Sequence, residues 1–249
     1  MNSKGHIQFA ALTDMGLTRR NNEDSYMVLS GRGTTYVVIL ADGMGGHKRG
    51  ELASSIAVKY ISECLSRDMT ANMSVDDIIV LVRGVIEKAN VRVHLKSLDD
   101  ESNEGMGTTV TVGIFQNNHL VVAHVGDCRA YLMHLGELMH LTLDHTLVQS
   151  LVDRGELTQD QAINHPKRNV VTRALGTPEY TSPDVAVYDI GKGDRVLFST
   201  DGLHDYVEES EIFRILKEAD TPKTAATDLV DQANRVGGAD NVTVVVGFA

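Results

Sequence analysis

Four strongly apolar runs in this 249-residue chain stop at an aspartate or begin just after one. Short runs rich in β-branched residues are typical of buried strands, so each carboxylate is expected at a sheet rim, where the backbone leaves the core. Carboxylates gathered at one rim repel each other unless a divalent metal cluster or a set of arginines neutralises them. The pattern therefore favours a metal-dependent enzyme. The runs are YVVILA before Asp42, HLVVAHVG before Asp127, RVLFST before Asp201, and VTVVVGF after Asp240 and Asn241.

Clusters of predicted strands alternate along the chain with pairs of predicted helices. Residues 145–177 interrupt this alternation with an irregular, partly basic stretch, which indicates a surface insertion. The order of elements predicts an α+β sandwich in one domain, residues 1–249, with largely antiparallel sheets covered by helices. Strands are predicted at residues 7–13, 25–29, 34–41, 109–115, 120–125, 130–135, 138–143, 185–189, 196–200 and 242–248, and the main helices at residues 51–66, 75–98, 209–219 and 222–236.

Charge and composition exclude several classes of partner. The formal net charge of -11 argues against a nucleic-acid or anionic membrane surface, because such partners require clustered lysines and arginines. The first 14 residues contain no apolar signal core, and no run approaches the ~20 residues of a membrane span. Cys64 and Cys128 are too few for a disulfide framework and are interpreted as buried thiols. We therefore expect a cytoplasmic protein with no nucleic-acid and no membrane partner.

The sequence DGMGG at residues 42–46 follows a predicted strand and precedes a predicted helix, as a phosphate-binding glycine loop does. It lacks the GK[ST] ending, and its leading aspartate would repel phosphate unless a cation intervened. We interpret the glycines as a tight turn that leaves the Gly43 carbonyl available as an oxygen ligand. Because the candidate donors are carboxylate and carbonyl oxygens, the composition favours Mg²⁺ or Mn²⁺ over Zn²⁺.

Two less functional interpretations of single residues remain open at this stage. Asp127 could be a turn residue that pairs with Arg129, and Asp240 could cap a strand. The loop TDMGLTRRNNED at residues 13–24 could likewise be a solvated loop with surface ion pairs. Alternatively, a guanidinium in that loop would be well placed to bind a phosphoryl group beside a carboxylate–metal site.

Eight motifs, in order, resemble the bacterial type of the PP2C (PPM) family of metal-dependent protein serine/threonine phosphatases. The resemblance covers residues 13–246, nearly the whole chain. It implies a four-layer αββα sandwich, with two mostly antiparallel central sheets flanked by helix pairs, and it implies that residues 145–177 are the flap beside the active site. The motifs are TDMGLTRRNNEDS, ADGMGGH, GTTV, VGDCRAY, LTLDHT, NVVTRALG, FSTDGLHD and DNVTVVV.

The resemblance also implies roles for individual residues. Asp42 would bridge two divalent ions, with the Gly43 carbonyl on one of them. Asp201 and Asp240 would complete the first site, and Glu23 would hold water on the second ion. Asp24 would form a hydrogen bond near the nucleophilic water. Asp127 together with Asp201 would form a third and weaker ion site. Arg19 would bind the substrate phosphate.

The implied reaction is hydrolysis of phosphoserine and phosphothreonine in proteins by a water that bridges two Mg²⁺ or Mn²⁺ ions. Arg19 would bind the phosphate in this reaction, and no phosphoenzyme would form. The implied partners are phosphorylated proteins and a bacterial serine/threonine kinase, and the implied state is a monomer. Lys167, Arg168 and Arg173 in the flap could attract a phosphopeptide, or they could be solvated basic residues.

The chain departs from the family pattern at several positions. Many relatives place a histidine after the Asp-Gly pair, whereas this chain has Met44, which cannot donate a proton. Our hypothesis assigns leaving-group protonation to a metal-bound water in preference to His47. Cys128 stands where serine is usual, and Thr200 and His204 flank the second Asp-Gly pair, Asp201-Gly202. A catalytically inactive binding module and a phosphatase for small-molecule phosphates remain as alternative functions.

Overall fold

The computed structural model describes residues 6–31, 35–45, 49–177 and 179–249. Two five-stranded sheets, both antiparallel throughout, form the centre of the molecule. The first sheet, sheet A, consists of β1 (Gln8–Asp14), β8 (Arg129–His134), β9 (Glu137–His140), β11 (Arg195–Ser199) and β12 (Val242–Phe248). The second, sheet B, consists of β2 (Ser25–Ser30), β3 (Tyr36–Ala41), β6 (Val110–Gln116), β7 (His119–Val125) and β10 (Asp184–Asp189).

The order of the strands brings distant parts of the chain together. Sheet A runs β1-β12-β11-β8-β9, and sheet B runs β10-β7-β6-β3-β2. A short two-stranded ribbon joins β4 (Gly43–Met44) to β5 (Gly107–Thr108), with Gly43 opposite Thr108. Because β1 pairs with β12, the loop that follows β1 lies next to the residues that precede β12.

Two pairs of long helices cover the outer faces of the sheets. The helices α1 (Arg49–Asp68) and α2 (Val75–Leu98) lie on sheet B, and α6 (Glu209–Glu218) and α7 (Pro222–Arg235) lie on sheet A. Ser74 and Thr221 cap α2 and α7, since each side chain accepts a hydrogen bond from a backbone N–H of the first turn. The expected four-layer αββα sandwich is therefore confirmed.

The apolar runs are continuous because each central strand is covered on both faces. In β3, Val37, Ile39 and Ala41 face the helices, whereas Val38 and Leu40 face sheet A. Aromatic rings fill the layer between the sheets. Phe9, Phe115 and Phe198 meet there with ring centroids 5.2 and 6.3 Å apart along the series.

Shorter helices occupy the remaining connections. They are α3 (Leu147–Asp153), α4 (Gln159–Ile163) and α5 (Asp201–His204), with a single 3₁₀ turn at Glu101–Asn103. None of the helices in the described part of the chain combines the length and the apolar character that crossing a bilayer requires.

Most predicted elements agree with the structure to within two residues, and the differences involve short elements. The strand predicted at residues 138–143 ends at His140, although the Leu141 N–H still donates to the Ala130 carbonyl over 2.8 Å. The β4–β5 ribbon and α5 are too short to produce a periodic signal and were not expected. Thr34, the first residue of the strand predicted at residues 34–41, lies outside the described residues.

Candidate active site

Carboxylates from both sheets meet at one end of the sandwich. Asp42 directly follows β3, and Asp24 precedes β2, whose first residue pairs with the last residue of β3. Asp127 lies in the turn between β7 and β8, Asp201 begins α5 after β11, and Asp240 lies two residues before β12. Within sheet A the antiparallel register brings Asp127, Asp201 and Asp240 to one rim, because the end of β11 pairs with the first residue of β8 and with Val244 near the start of β12.

The carboxylates oppose each other's ionisation. Withdrawal from water and the charges of Asp24, Asp201, Asp127 and Asp240 raise the pKa of Asp42 well above its usual range. The same causes act on Asp201. Burial raises the pKa of Asp24 to about 6 and that of Asp127 to about 7, with neighbouring carboxylates adding to the effect. The cluster is therefore short of positive charge in the absence of a cation.

Two oxygen atoms in the cluster have no hydrogen-bond partner. Asp201 Oδ1 and Asp24 Oδ1 are both shielded from solvent without a donor in the described part of the protein. A buried carboxylate oxygen without a donor is costly, and a hard divalent cation is the natural partner for it. The donor set, which contains only oxygen atoms, fits Mg²⁺ or Mn²⁺.

The other oxygen of Asp24 accepts hydrogen bonds from threonines of both neighbouring strand ends. Thr200 Oγ1 donates over 3.0 Å and Thr243 Oγ1 over 2.6 Å to Asp24 Oδ2. Thr243 in turn lies 2.7 Å from Thr13 Oγ1, which accepts from Asn22. This chain of hydroxyl groups fixes the Asp24 carboxylate and leaves Oδ1 as its free oxygen. The sequence interpretation did not identify the two threonines that hold Asp24, and its only signal for them was their place beside Asp201 and Asn241.

Asn241 holds the loop that carries Arg19 and Glu23, a role that sequence interpretation did not assign. Its Oδ1 accepts from the Glu23 backbone N–H over 2.9 Å, and its Nδ2 donates to the carbonyls of Met15 and Asn21, each over 2.9 Å. The adjacency to Asp240 is the only sequence signal for this role. Since Asn241 precedes β12 directly, its amide ties the loop to the rim of sheet A.

Two glycines allow the close approach of Glu23 to the Asp-Gly turn. A Cβ on Gly43 would lie 2.2 Å from the Gly50 carbonyl oxygen, and a Cβ on Gly50 would lie 2.5 Å from Glu23 Oε2. The Gly43 N–H also donates to the Glu23 carbonyl over 3.1 Å. Burial raises the pKa of Glu23, as does the nearby charge of Asp240. Glu23 and Gly43 are thus brought together, and Gly50 is a further residue on which this contact depends.

Arg19 lies at the mouth of the cluster. Its Nη2 donates to Asp240 Oδ2 over 2.6 Å, and its side chain is 51% exposed. Partial burial opposes the charged form, but the carboxylates of Asp240, Asp201 and Asp42 prevail and raise the pKa of Arg19. A guanidinium has five N–H donors, and the pair with Asp240 uses one of them. Arg19 therefore both neutralises Asp240 and has donors left for an anion.

The arginines near the cluster form ion pairs that bear on the alternatives left open by the sequence. Arg129 donates to Asp144 through Nε and Nη2, at 2.6 to 3.0 Å, rather than to Asp127. Arg173 pairs with Asp184 at 2.9 Å, and Arg168 lies 3.6 Å from Asp205. Two of the three basic flap residues thus already face a carboxylate, while Lys167 is exposed.

Met44 and Cys128, two of the residues that depart from the family pattern, lie in the described part of the chain. Met44 follows Gly43 in β4, and His47 lies outside the described residues. Cys128 is buried, and its Sγ lies 3.0 Å from Thr109 Oγ1. Burial raises the pKa of the Cys128 thiol well above its ordinary value, and the charges of Asp42 and Asp127 add to this shift. A buried neutral thiol agrees with the interpretation of Cys128 as a structural residue.

A cavity of about 260 Å³ adjoins the carboxylate cluster. Asp127 lies at its border, and the flap helices α3 and α4 together with Asp205 and Glu208 form its walls. A larger cavity of about 350 Å³ lies at the opposite ends of β2 and β3, where Leu29, Thr35 and Leu65 line it. That larger cavity has no carboxylate in its lining, so the smaller cavity is the one relevant to the cluster.

Comparisons with known proteins find one family of similar sequences and structures. The family model described as protein phosphatase 2C matches residues 9–242. The serine/threonine phosphatase Stp of Listeria monocytogenes is 36% identical over 97% of this chain and 94% of its own length. The structure of the Streptococcus agalactiae serine/threonine phosphatase is similar with a TM-score of 0.92 and 32% identity, over 98% of this chain and 100% of that one. The catalytic domain of PstP, solved in complex with two manganese ions, is similar with a TM-score of 0.84 and 36% identity, over 97% of both chains.

Proposed function

This chain belongs to the protein phosphatase 2C family and is a metal-dependent serine/threonine phosphatase, and on that basis we propose that the carboxylate cluster is its catalytic centre. The observation that carries the assignment is Asp201 Oδ1, a buried carboxylate oxygen without a donor inside a group of mutually repelling carboxylates. The proposed ligands of two divalent ions are Asp42, Gly43, Asp201, Asp240 and Glu23, and Asp127 with Asp201 is proposed to hold a third.

Mg²⁺ and Mn²⁺ are equally suited to these oxygen donors. When bound, such ions acidify coordinated water and withdraw negative charge from phosphate oxygens. The residues of the chain contribute position and charge. Thr108 and Thr109 hold the turn that contains Asp42. The Asp42 N–H donates to Thr109 Oγ1 over 2.9 Å, and the Asp42 carbonyl accepts from the Thr109 N–H over 2.9 Å and from Thr108 Oγ1 over 2.8 Å.

Arg19 and Asp24 are proposed to act on the substrate and on the attacking water. Arg19 would direct its unused N–H donors to the phosphate oxygens, and its pair with Asp240 keeps the guanidinium at the cleft mouth. Asp24 would accept a hydrogen bond from water through Oδ1, because Thr200 and Thr243 occupy Oδ2.

The substrates are proposed to be phosphoserine and phosphothreonine in proteins, which a serine/threonine kinase must supply. We assign residues 145–177 to a flap within a single domain, residues 1–249, and expect the protein to act as a monomer. The two free, buried cysteines, Cys64 and Cys128, are compatible with a reducing compartment and support a cytoplasmic location.

Two substitutions test the ranking of the metal ligands. Asp42→Asn is expected to lower kcat by about 10³-fold or more at every Mn²⁺ concentration, because several kcal/mol of charge stabilisation are lost. Asp127→Asn is expected to shift the activation curve to higher Mn²⁺, with much of kcat recovered at saturation. Hydrolysis of a phosphothreonine peptide across a Mn²⁺ titration, with a chelator control, measures both effects.

Asp99→Asn is a suitable control, because Asp99 is an exposed carboxylate at the end of α2 that pairs with Lys96. It should leave the Mn²⁺ curve unchanged. Equal losses in the Asp42 and Asp127 variants at saturating Mn²⁺ would contradict the proposed ranking. An Asp201→Asn variant that kept full activity would contradict the assignment of the centre itself.

A further inference from the structure

The two ends of the flap are hydrogen-bonded to each other at His145, where the flap begins. The His145 carbonyl accepts from the Thr172 N–H over 2.8 Å and from Thr172 Oγ1 over 3.0 Å. One step further into the flap, the Leu147 N–H donates to the Val170 carbonyl over 2.8 Å. Hydrogen bonds from residues 170–172 thus hold the returning part of the flap against its first residues, His145 and Leu147.

His145 is also bonded to the residue that precedes Asp127. The His145 N–H donates to the Gly126 carbonyl over 2.9 Å, and the Gly126 N–H lies 3.0 Å from His145 Nδ1. Because a backbone amide can only donate, Nδ1 must be the acceptor, and the imidazole proton must be on Nε2. Burial and the nearby His124 lower the pKa of His145 to about 4, so the imidazole is neutral at pH 7.

The Nε2 side of the same ring faces the cation Arg173 of the flap and the carboxylate Asp184, the first residue of β10. His145 Nε2, which carries the proton, donates to Asp184 Oδ2 over 3.0 Å. Arg173 Nη1 lies 2.7 Å from the same nitrogen, but both are donors, so Arg173 is linked to the ring through Asp184. Arg173 Nη2 donates to Asp184 Oδ1 over 2.9 Å and to the Ser182 carbonyl over 2.6 Å. The imidazole thus joins the Gly126–Asp127 turn on one side to the Arg173–Asp184 pair on the other.

A metal site is the competing interpretation of this cluster, because His124, His145 and Asp184 place possible ligand atoms within 4.8 Å of one another. Three observations disfavour it. The two imidazoles are stacked, with centroids 4.5 Å apart and planes 14° apart. His145 Nδ1 is occupied by the Gly126 amide, and His124 Nε2 lies 2.8 Å from the Leu143 carbonyl. Arg173 already supplies the positive charge beside Asp184.

The backbone of the Gly126–Asp127 turn, to which His145 is bonded, is sterically constrained. Gly126 has φ of 111°, and a Cβ there would lie 2.5 Å from Thr109 Cβ. The side chain of Asp127 is buried at the border of the cavity beneath the flap. A shift of the Gly126 backbone would therefore move the Asp127 carboxylate relative to Asp201.

We propose that His145 is a positioning residue that couples the flap to Asp127, through Nδ1 to the Gly126 amide and through Nε2 to the Arg173–Asp184 pair. The consequence for catalysis rests on the proposed role of Asp127 as a ligand of the third ion. A displacement of the flap would then change the position of Asp127, and the reverse, because one imidazole ring is bonded to Gly126 and, through Asp184, to Arg173 of the flap.

Two substitutions separate the two sides of the ring. His145→Ala removes both contacts, whereas His145→Asn places an amide oxygen near the position of Nδ1 and removes the reach to Arg173 and Asp184. We expect His145→Ala to raise the Mn²⁺ concentration for half-maximal activity about 3- to 10-fold, the size of one lost hydrogen bond. His145→Asn should restore most of that shift. Both variants should lose more kcat/KM on a phosphothreonine peptide than on p-nitrophenyl phosphate, which is too small to contact the flap.

Amide hydrogen exchange tests the coupling without using activity or metal. In the metal-free protein, exchange of the Gly126 amide, followed by NMR, should accelerate about 3- to 10-fold in His145→Ala and stay near the wild-type rate in His145→Asn. His119→Asn is the matched control, because His119 lies half-buried at the other end of β7, where its Nδ1 is 3.0 Å from the exposed Asp189. It should change none of these readouts.

Unchanged Gly126 exchange in His145→Ala, or identical Gly126 exchange in the Ala and Asn variants, would overturn the proposal. If His145→Ala does not fold, His145→Asn against wild type still decides it. In His145→Asn, loss of selectivity for the peptide with retained Gly126 protection is the supporting result, and loss of both is the opposing one. The Asp127→Asn titration is independent of these outcomes, so a failed third-ion assignment is distinguishable from a failed coupling.

Discussion

Asp24 and Asp127 differ in their surroundings although both are carboxylates at strand ends. Two threonine hydroxyls donate to Asp24, whereas the buried carboxylate of Asp127 is close to the charges of Asp144 and Asp205. Burial raises the pKa of both, to about 6 and about 7 respectively. Both carboxyl groups therefore bind protons more tightly than an exposed aspartate does, although their neighbours differ.

These raised values predict how the metal-free protein responds to pH. Asp24 and Asp127 have ordinary pKa values of 3.8, so between about pH 4 and pH 7 the folded protein binds protons that the unfolded chain releases. The free energy of unfolding should therefore fall as pH rises through this window. Thermal unfolding in the presence of a chelator should show Tm decreasing by several degrees from pH 5 to pH 7.5.

The charge of the cluster is the proposed cause, so two controls follow. Added Mn²⁺ should reverse the decrease at pH 7.5, and Asp127→Asn should reduce it in the metal-free protein. A metal-free Tm that rises between pH 5 and pH 7.5 would show that other groups dominate. Arg173 and His145 lower the pKa of Asp184 to about 2, against the effect of burial. Its contribution to the free energy of unfolding therefore rises with pH only below about pH 4.

At the scale of elements, the site depends on a close backbone contact between α5 and β12. A Cβ on Gly202 would lie 1.9 Å from the Asn241 carbonyl oxygen. Nearby, the Thr200 N–H donates to the Thr243 carbonyl over 3.0 Å, and Thr243 donates its own N–H to Thr200 Oγ1 over 2.9 Å. Asp201 and the residues that precede β12 are thus held together by the main chain.

Gly202→Ala is therefore expected to destabilise the protein by about 3 kcal/mol and to reduce activity, since the chain must shift next to Asp201. Gly84→Ala is the matched control, because Gly84 is in the middle of α2 with no atom within 4 Å of an added Cβ. It should stabilise the protein by about 0.5–1 kcal/mol through higher helix propensity. Urea unfolding midpoints measure both changes, and a destabilised Gly84→Ala variant would contradict the argument.

At the scale of the whole molecule, the distance between the two sheets decides whether their rims can share a site. The sheets approach closely where Gly113 of β6 faces Phe198 of β11, because a Cβ on Gly113 would lie 2.3 Å from Phe198 Cζ. Phe198 is completely buried and packs edge-to-face against Phe115. This contact lies between the strands that lead to the carboxylate cluster.

Gly113→Ala should destabilise the protein by about 1–3 kcal/mol through overpacking. Combined with Phe198→Leu, it should cost about 1 kcal/mol less than the sum of the two single variants, because the smaller side chain makes room for the added methyl group. A double-mutant cycle of urea unfolding free energies measures this coupling. Strict additivity would indicate that the sheets move apart without using the space left by Phe198.

The apolar runs, the turns and the helix caps were predictable because each depends on residues close together in the chain. The YVVILA run identifies β3, Ser74 identifies the start of α2, and Asn117 and Asn118 adopt the positive φ values of 51° and 64° expected of a hairpin turn. The family motifs likewise identify Asp42, Asp201 and Asp240 as candidates, since their place at strand ends is a local property.

The partners of those residues could not be predicted, because they come from distant parts of the chain. Thr200 and Thr243 meet at Asp24 across 176 and 219 residues, Arg19 meets Asp240 across 221, and Asn241 reaches the Glu23 amide across 218. Such contacts depend on strand order and on the distance between the sheets, which packing decides and sequence periodicity does not record. The sequence alone determined which carboxylates stand at strand ends, and the tertiary structure decided which oxygen atoms lack a donor and are therefore suited to hold a cation.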